Sequence, residues 1–437
     1  MKRTTKNLLA VAVTAALCAP MSAMATNGYF GHGIGMKSMG MGGAGIAMAQ
    51  DSLASATNPA AAALTGNRID FGLNLFRPDR ESKVSGSVAP GVNGTYDGNE
   101  TSIFLIPEFG YNRELGNDMA FGLTVVGRGG MNTDYNKVFG LYNGSSNDKP
   151  GIDLAQLYIS PTFAMKLNQD HSVGITLNAI YQRFKAQGLD NFAGFAADGT
   201  GDNITSGDYD SSTGFSIGLG WTGKVSQILT VGASYTSKAD MSEFDKYSDL
   251  FAEQGDFDIP ATLGLGVAVT ATPALTVAFD VTKIYYSDVT SINNPLTPNL
   301  LNCPALGGTD QSQCLGGDNG PGFGWEDMTV YKLGFSWQYQ NDLVLRAGFN
   351  HGSQPIPESE TFFNFLAPGV VENHLTFGAT KTLANGAELT FMYMHAFEKE
   401  VKGSGSIPPA FNGGFTGAEV DTKMSQNAIG VAYGWDL

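Results

Sequence analysis

Sulfur, histidine and charge are all scarce in this chain, and each shortage removes a class of function. Three cysteines and five histidines in 437 residues leave little material for a metal centre. Charged residues make up only 15% of the sequence, and 41 Asp and Glu outweigh 25 Lys and Arg to give a formal charge of −16. That balance argues against nucleic acid and acidic surfaces as partners. Past the first residues, no window reaches the roughly 18 consecutive apolar residues that a membrane-spanning helix needs. Glycine, in contrast, is abundant: 57 residues, well above the roughly 7% average.

The chain opens MKRTTKNLLAVAVTAALCAPMSAMA. Lys2, Arg3 and Lys6 form a basic start, residues 8–17 an apolar core, and Ala23-Met24-Ala25 an A-x-A cleavage site, the pattern of a cleaved export signal over 1–25. Losing its three basic residues takes the net charge from −16 to −19. Leu17 ahead of Cys18 excludes a lipoprotein site, which requires a small residue there. Only Cys303 and Cys314 then remain, within one Gly/Pro/Asn-rich stretch. In an oxidising periplasm they read most simply as a local disulfide, contributing roughly 2–3 kcal/mol if unstrained. A metal site is the sharper alternative, but no histidine lies nearby. No cofactor is implied.

From residue 67 to the C-terminus the sequence alternates. Ile429, Val431, Tyr433, Trp435 and Leu437 share one face, with Ala428, Gly430, Ala432, Gly434 and Asp436 on the other. Thr329, Tyr331, Leu333, Phe335, Trp337 and Tyr339 form a second such row, as do Leu275, Val277, Phe279 and Val281. Period two over 9–11 residues, large and apolar outside, small or polar inside, describes transmembrane barrel strands. Fourteen segments fit: 67–78, 100–113, 118–128, 153–167, 171–186, 208–224, 229–240, 257–270, 273–288, 325–340, 343–353, 371–383, 386–401 and 423–437. Six tight turns, including Ala271-Thr272, alternate with seven long polar connectors, near 79–99, 129–152, 187–207, 241–256, 289–324, 354–370 and 402–422. Short periplasmic turns and long extracellular loops produce this alternation. An even strand count also leaves no open sheet edge in lipid, where unpaired backbone groups are costly.

The expectation is an all-β transmembrane fold: a 14-stranded antiparallel up-and-down outer-membrane barrel in a Gram-negative cell. Residues 26–66 lack alternation. Seven glycines between 31 and 45 lead to an Ala-rich, helix-compatible run, so this segment reads as a small, mostly helical hatch inside a barrel of 67–437. The surroundings would be outer-membrane lipid and lipopolysaccharide, with one chain per pore.

The start of that segment, GYFGHGIGMKSMGMGGAGIAMAQDSLASATNPAAAAL (28–64), resembles the N-terminal hatch of the FadL family of outer-membrane hydrophobic-compound transporters. Asn58-Pro59-Ala60 matches that family's hatch motif, and PEFGYNRELGNDMAFGLTVVGRGG (107–130), FDIPATLGLGVAVT (257–270), LRAGFNHGSQPIPE and LTFMYMHAF extend the likeness along the chain. The resemblance implies passive uptake of long-chain fatty acids or other hydrophobic molecules. They would be captured between loops 3 and 4, pass a tighter site above the hatch, and leave sideways at a kink in the third strand. Aromatic hydrocarbons, or export of oxidised lipids, are alternative cargoes for the same scaffold. The terminal Leu437 departs from the aromatic common at the end of such barrels, although Tyr433 and Trp435 are close.

Each step has residues to match. Loop 3 carries Leu189, Phe192 and Phe195. Loop 4, MSEFDKYSDLFAEQG, reads as a short amphipathic helix with Phe244, Tyr247, Leu250 and Phe251 on one face. These side chains would either hold a detergent-like ligand or pack on one another. Gly127, Gly129 and Gly130 would let the third strand bulge, with Asn58-Pro59-Ala60 approaching as the gate; the alternative is a strand that simply ends there. Alternation turns Asp70, Arg128, Asp280, Lys332 and Arg346 inward. Arg128, Lys332 and Arg346 would pair a fatty-acid carboxylate or lace the barrel to its hatch. Met392 and Met394 would line an apolar path or touch the Met-rich hatch.

Two motifs mislead. Gly40 to Gly45 fits GxGxxG without the βαβ unit that gives it meaning. Gly214-Phe215-Ser216-Ile217-Gly218 fits GxSxG but sits within an alternating strand, which disfavours an outer-membrane lipase. No enzyme is expected, the hatch argues against an open general porin, and energised uptake would need a larger plug.

Overall fold

The computed structural model describes residues 26–138, 140, 142, 148–407 and 417–437; the expected export signal, 1–25, lies outside them. Fourteen strands form one closed antiparallel sheet. They are β1 (Arg68–Ser85), β2 (Phe104–Gly116), β3 (Met119–Asp134), β4 (Gly151–Lys166), β5 (His171–Gln187), β6 (Asp210–Lys224), β7 (Leu229–Thr236), β8 (Thr262–Thr272), β9 (Leu275–Ile284), β10 (Met328–Gln340), β11 (Leu343–Gly352), β12 (Asn373–Thr382), β13 (Glu388–Val401) and β14 (Glu419–Asp436). Each pairs with its sequence neighbours, and β14 returns to β1 from Arg68↔Asp436 to Ser85↔Glu419, which closes the barrel. No helix among the described residues is long and apolar enough to cross a membrane; crossing falls to the strands.

The outward rows are those that alternation picks out. Ile429, Phe335, Trp337 and Phe377 are exposed, while Ala428, Ala278 and Met394 on opposite faces are buried. An apolar exterior of this extent belongs in lipid. Asn117 and Asp118 take φ of 51° and 59° at the β2–β3 turn, the doubly left-handed geometry whose twist matches a two-residue hairpin.

Several strand ends differ from expectation by a few residues, among them the third strand, which runs to Asp134 rather than 128; two of the differences have a plain cause. The β8–β9 turn falls at Pro273-Ala274 rather than Ala271-Thr272, because Thr272 still pairs with Leu275 and Pro273 has no N–H to continue the ladder. Strand β1 runs on to Ser85 through the expected first loop, carried by β14 on one side and by a short strand, Gly94–Asp97, on the other.

Residues 26–66 fill the lumen. Only a one-turn helix, α1 (Met36–Met39), and the 3-10 turns Ala54–Ala56 and Pro59–Ala63 are regular. Small lumen residues make the fit: a Cβ on Gly220 would overlap Asn58, and one on Gly348 would overlap Gly42. This explains the inward glycines by space rather than by backbone freedom.

Candidate functional site

The hatch is held around its whole circumference by groups projecting from the wall. Glu108 on β2 accepts the backbone N–H groups of Gly35 (3.1 Å) and Met36 (3.2 Å). Asp280 on β9 accepts those of Gly45 (2.7 Å) and Ile46 (3.0 Å), and Asp70 on β1 accepts from Ser52. Hydrogen bonds to carboxylates are worth about 1.5–3 kcal/mol each. At the turn end, Glu388 binds both Lys37 (2.6 Å) and Arg68 (2.5 Å), while Arg346 reaches Gln50 and Thr380. Of the inward charges, then, Asp70, Asp280 and Arg346 join barrel to hatch. Met392 is buried beside Met36, near the lumen face of Gly430.

Asn58 is an anchor of the same kind. Its Nδ2 donates to Ile46 O (2.7 Å), Trp221 O (3.0 Å) and Thr222 Oγ1 (3.1 Å), and its Oδ1 caps Ala60 N (3.1 Å). Pro59 starts the following 3-10 turn, where its missing N–H costs nothing. The motif packs on Gly174 and Gly220 of β5 and β6.

The third strand does bulge. Its register against β4 shifts between Gly127 and Gly129, and its pairing with β2 stops at Glu108↔Val126. Beyond that point Phe104 to Pro107 pair with β1 and 127–134 with β4, but the two strands no longer pair with each other, so the β2–β3 ladder is broken; at its far end Asp134 bridges Asn99 instead. The residues that pair with the bulge are 29–31 of the hatch rather than Asn58, Pro59 and Ala60: Gly31 N donates to Arg128 O (3.1 Å) and Gly130 N to Tyr29 O (2.9 Å). Higher up, the fully buried Arg80 crosses the break, donating to Asn132 O, Asn132 Oδ1 and Thr101 O. The sequence places Arg80 in the first long connector, 79–99, and gives no signal for this role.

Inside the bulge lies a cavity whose lining includes Phe30, Ile34, Ile46, Val330, Arg128 and Lys332. The Arg128 guanidinium lies 5.9 Å from the Phe30 ring centre and 5.2 Å from that of Tyr158. Neither Arg128 nor Lys332 has an ion-pair partner within 4 Å among the described residues. Asp280, opposite Lys332 in the sheet, gives its Oδ2 to the hatch backbone, while its Oδ1 takes no hydrogen bond.

A second, apolar pocket lies among the loops. Leu189, Phe192, Leu250 and Phe251 line it together with Tyr142, Phe323, Phe363 and Leu366. Phe244 and Tyr247 stand behind it, packed on Phe184 at 5.8 and 4.8 Å, and burial raises the Tyr247 hydroxyl above its ordinary pKa. Phe195 sits at the edge, 6.4 Å from Phe192.

Loop 4 is not the expected amphipathic helix. It is a succession of short turns, with helical geometry only at 245–247 and 252–255, and within the second Glu253 and Gln254 have φ of 55° and 57°. Their N–H groups donate to Gly317 O and Gly316 O of loop 5 instead of closing helical bonds. Loop 5, stapled by the Cys303–Cys314 disulfide, also bridges to loop 3 through Leu315 N to Phe195 O (3.0 Å). Loops 5 and 6 thus complete a pocket that sequence assigned to loops 3 and 4. The available signal was the aromatic run at Phe362, Phe363 and Phe365.

A closed barrel with an apolar exterior, a docked hatch and two internal pockets defines an outer-membrane channel for hydrophobic compounds. The chain belongs to the outer membrane protein transport protein family (OMPP1/FadL/TodX), whose family model matches residues 13–437. No curated protein sequence matches it. Among solved structures it is similar to the Pseudomonas putida toluene transporter TodX, at 18% identity and a TM-score of 0.64 over 93% of this chain and 99% of that one. The Ralstonia pickettii toluene transporter TbuX gives 18% and 0.61 over 93% and 99%. A Pseudomonas aeruginosa FadL homologue gives 15% and 0.66 over 94% and 99%.

Proposed function

We propose that the protein passively takes up long-chain fatty acids, releasing them sideways into the membrane through the broken pairing between β2 and β3. Arg128 and Lys332, two unpaired cations on one cavity, carry this reading. An acyl chain suits the apolar outer pocket, where each buried side chain contributes roughly 1.5–3 kcal/mol. A carboxylate suits the inner cavity, where a charge-assisted hydrogen bond adds about as much again.

Structures similar to this chain include toluene transporters, which keeps aromatic hydrocarbons as the second reading. A neutral hydrocarbon would leave both cations unmatched. Export of oxidised lipids would use the same path in reverse. The protein acts as a channel, not an enzyme: Ser216 of the GxSxG lies within β6 and its Oγ accepts from Asn178 Nδ2 (2.9 Å). It is exported with a cleaved leader and works as one chain per pore, bounded by phospholipid and lipopolysaccharide.

The test is growth of a deletion strain on oleate and on aromatic hydrocarbons, with labelled-oleate uptake after complementation. Arg128→Ala with Lys332→Ala is expected to weaken oleate uptake about tenfold or more and leave toluene entry unchanged. Normal growth of the deletion strain on oleate, with no other member of the family present, sinks the reading. Equal losses for oleate and toluene would instead assign the cations to structure.

A further inference from the structure

The inner tip of the hatch is bonded on two sides. One side is the β3 bulge, through Tyr29 and Gly31. The other is a single side chain, Tyr286, which opens loop 5 in the turn Tyr286–Asp288 directly after β9. Its hydroxyl donates to Asn27 O (2.8 Å) and accepts from Tyr29 N (3.2 Å). Its ring lies 5.5 Å from Tyr29 and meets Trp325 edge-on at 5.1 Å. The fit is close on the hatch side too: Gly28 has φ of 62°, and a Cβ there would overlap the Tyr286 hydroxyl.

From Tyr286 the contacts continue outward. Trp325 Nε1 donates to Asn364 Oδ1 (2.6 Å), and Asn364 Nδ2 donates to Phe323 O (2.7 Å). Phe323 is a wall of the outer apolar pocket. One unbroken series of packed rings and hydrogen bonds therefore joins the wall of the capture pocket to the three residues lying against the gap in the barrel wall.

We infer that Tyr286 is the latch of the hatch tip, a positioning residue that holds residues 27–31 against the β3 bulge and ties their release to the outer pocket. The inference rests on the lateral-release reading of the channel. The chemistry requires the hydroxyl. A phenylalanine would keep the ring contacts but leave the buried Tyr29 N–H without its acceptor, and a buried amide without a partner is costly. The tip would then leave the bulge more often while the rest of the hatch stayed docked through Glu108, Asp280, Asp70 and Asn58. An occupant that displaced Phe323 would reach the same latch through Asn364 and Trp325.

The test reads the tip directly and without cargo. Asn27, buried with an unbonded side-chain oxygen, is replaced by cysteine, and its labelling by a water-soluble maleimide is timed in purified protein. Adding Tyr286→Phe is expected to raise the rate about tenfold, as loss of two buried hydrogen bonds would. Gly28→Ala, which perturbs the same contact from the hatch side, should do likewise. Tyr142→Phe, which removes a hydroxyl bonded to Phe362 O in the outer pocket, should not. Heat-modified gel mobility checks that each barrel is folded. Labelling of the Tyr286→Phe protein within twofold of its parent overturns the latch, as does an equal rise with Tyr142→Phe. Faster labelling without oleate uptake in any variant supports the latch and rejects fatty acid as the cargo.

Discussion

At the scale of single residues, this barrel uses its buried charges to hold backbone. Glu108 and Asp280 each take two hatch amides, and Arg80 satisfies carbonyls that the broken β2–β3 ladder leaves without strand partners. Arg80→Ala would take charge-assisted hydrogen bonds from two part-buried carbonyls, Asn132 O and Thr101 O, at about 1.5–3 kcal/mol each. Amide exchange in residues 130–134 is therefore expected to speed up by roughly an order of magnitude or more, while exchange in β10 and β11 stays unchanged. Arg80→Lys should fall between, since an ammonium cannot reproduce the planar fork. Unaltered protection in 130–134 would show that pairing with β4 alone holds this half of the strand. Arg128 and Lys332 are exceptions to the rule at this scale, which is why they, and not Arg346, carry the proposed carboxylate site.

At the scale of elements, the strands were legible and the loops only in part. Alternation depends on one neighbour and one solvent, so Ile429 and Phe335 declare their face without reference to the rest of the chain. The loop-4 stretch from Phe244 to Phe251 declares burial but not conformation, because the chain just after it, at Glu253 and Gln254, gives its backbone bonds to loop 5, far away in sequence. The same holds for Asn58-Pro59-Ala60, whose distance from or nearness to the bulge depends on how the whole hatch folds. Loop 4 also carries a measurable consequence. Burial, reinforced by Asp258, lifts the Asp256 carboxyl to about 8. An acid whose folded pKa is raised binds its proton more tightly folded than unfolded, so stability is lost as pH climbs from the unfolded value near 4 toward 8. Docking of loop 4 on loop 5 should accordingly be tighter at pH 5 than at pH 8.5, seen as slower proteolysis within 242–256. Asp256→Asn should flatten that dependence. A wild-type loop equally resistant at both pH values would mean that Lys238, paired with Asp258 at 2.6 Å, already neutralises the cluster.

At the scale of the molecule, the question is whether the barrel needs its hatch to exist or only to stay shut. The seam of the sheet closes without it: β1 and β14 pair over their full length from Arg68 to Ser85, and the β2–β3 break is spanned by Arg80 of the wall as well as by the hatch tip. The exterior is apolar all round, and lipid fixes which face points out. The hatch contributes polar contacts to a lumen that water could solvate once it was gone, since Glu108, Asp280, Asp70 and Arg346 are charged groups with no need of a protein partner in water. Deleting residues 26–66 behind the export signal should therefore leave a folded barrel with normal heat-modifiable mobility, and change its permeability instead. In planar bilayers the intact protein is expected to pass little current, whereas the truncated barrel should show steady ohmic conductance and admit small hydrophilic solutes to cells. A truncated chain that failed to assemble would show that the carboxylate–amide bonds are part of what closes the sheet. Equal conductance with and without the hatch would mean that the loops, with Phe362, Phe363 and Phe365 folded into the mouth, form the true barrier, and that hatch and gate are separate parts of the pore.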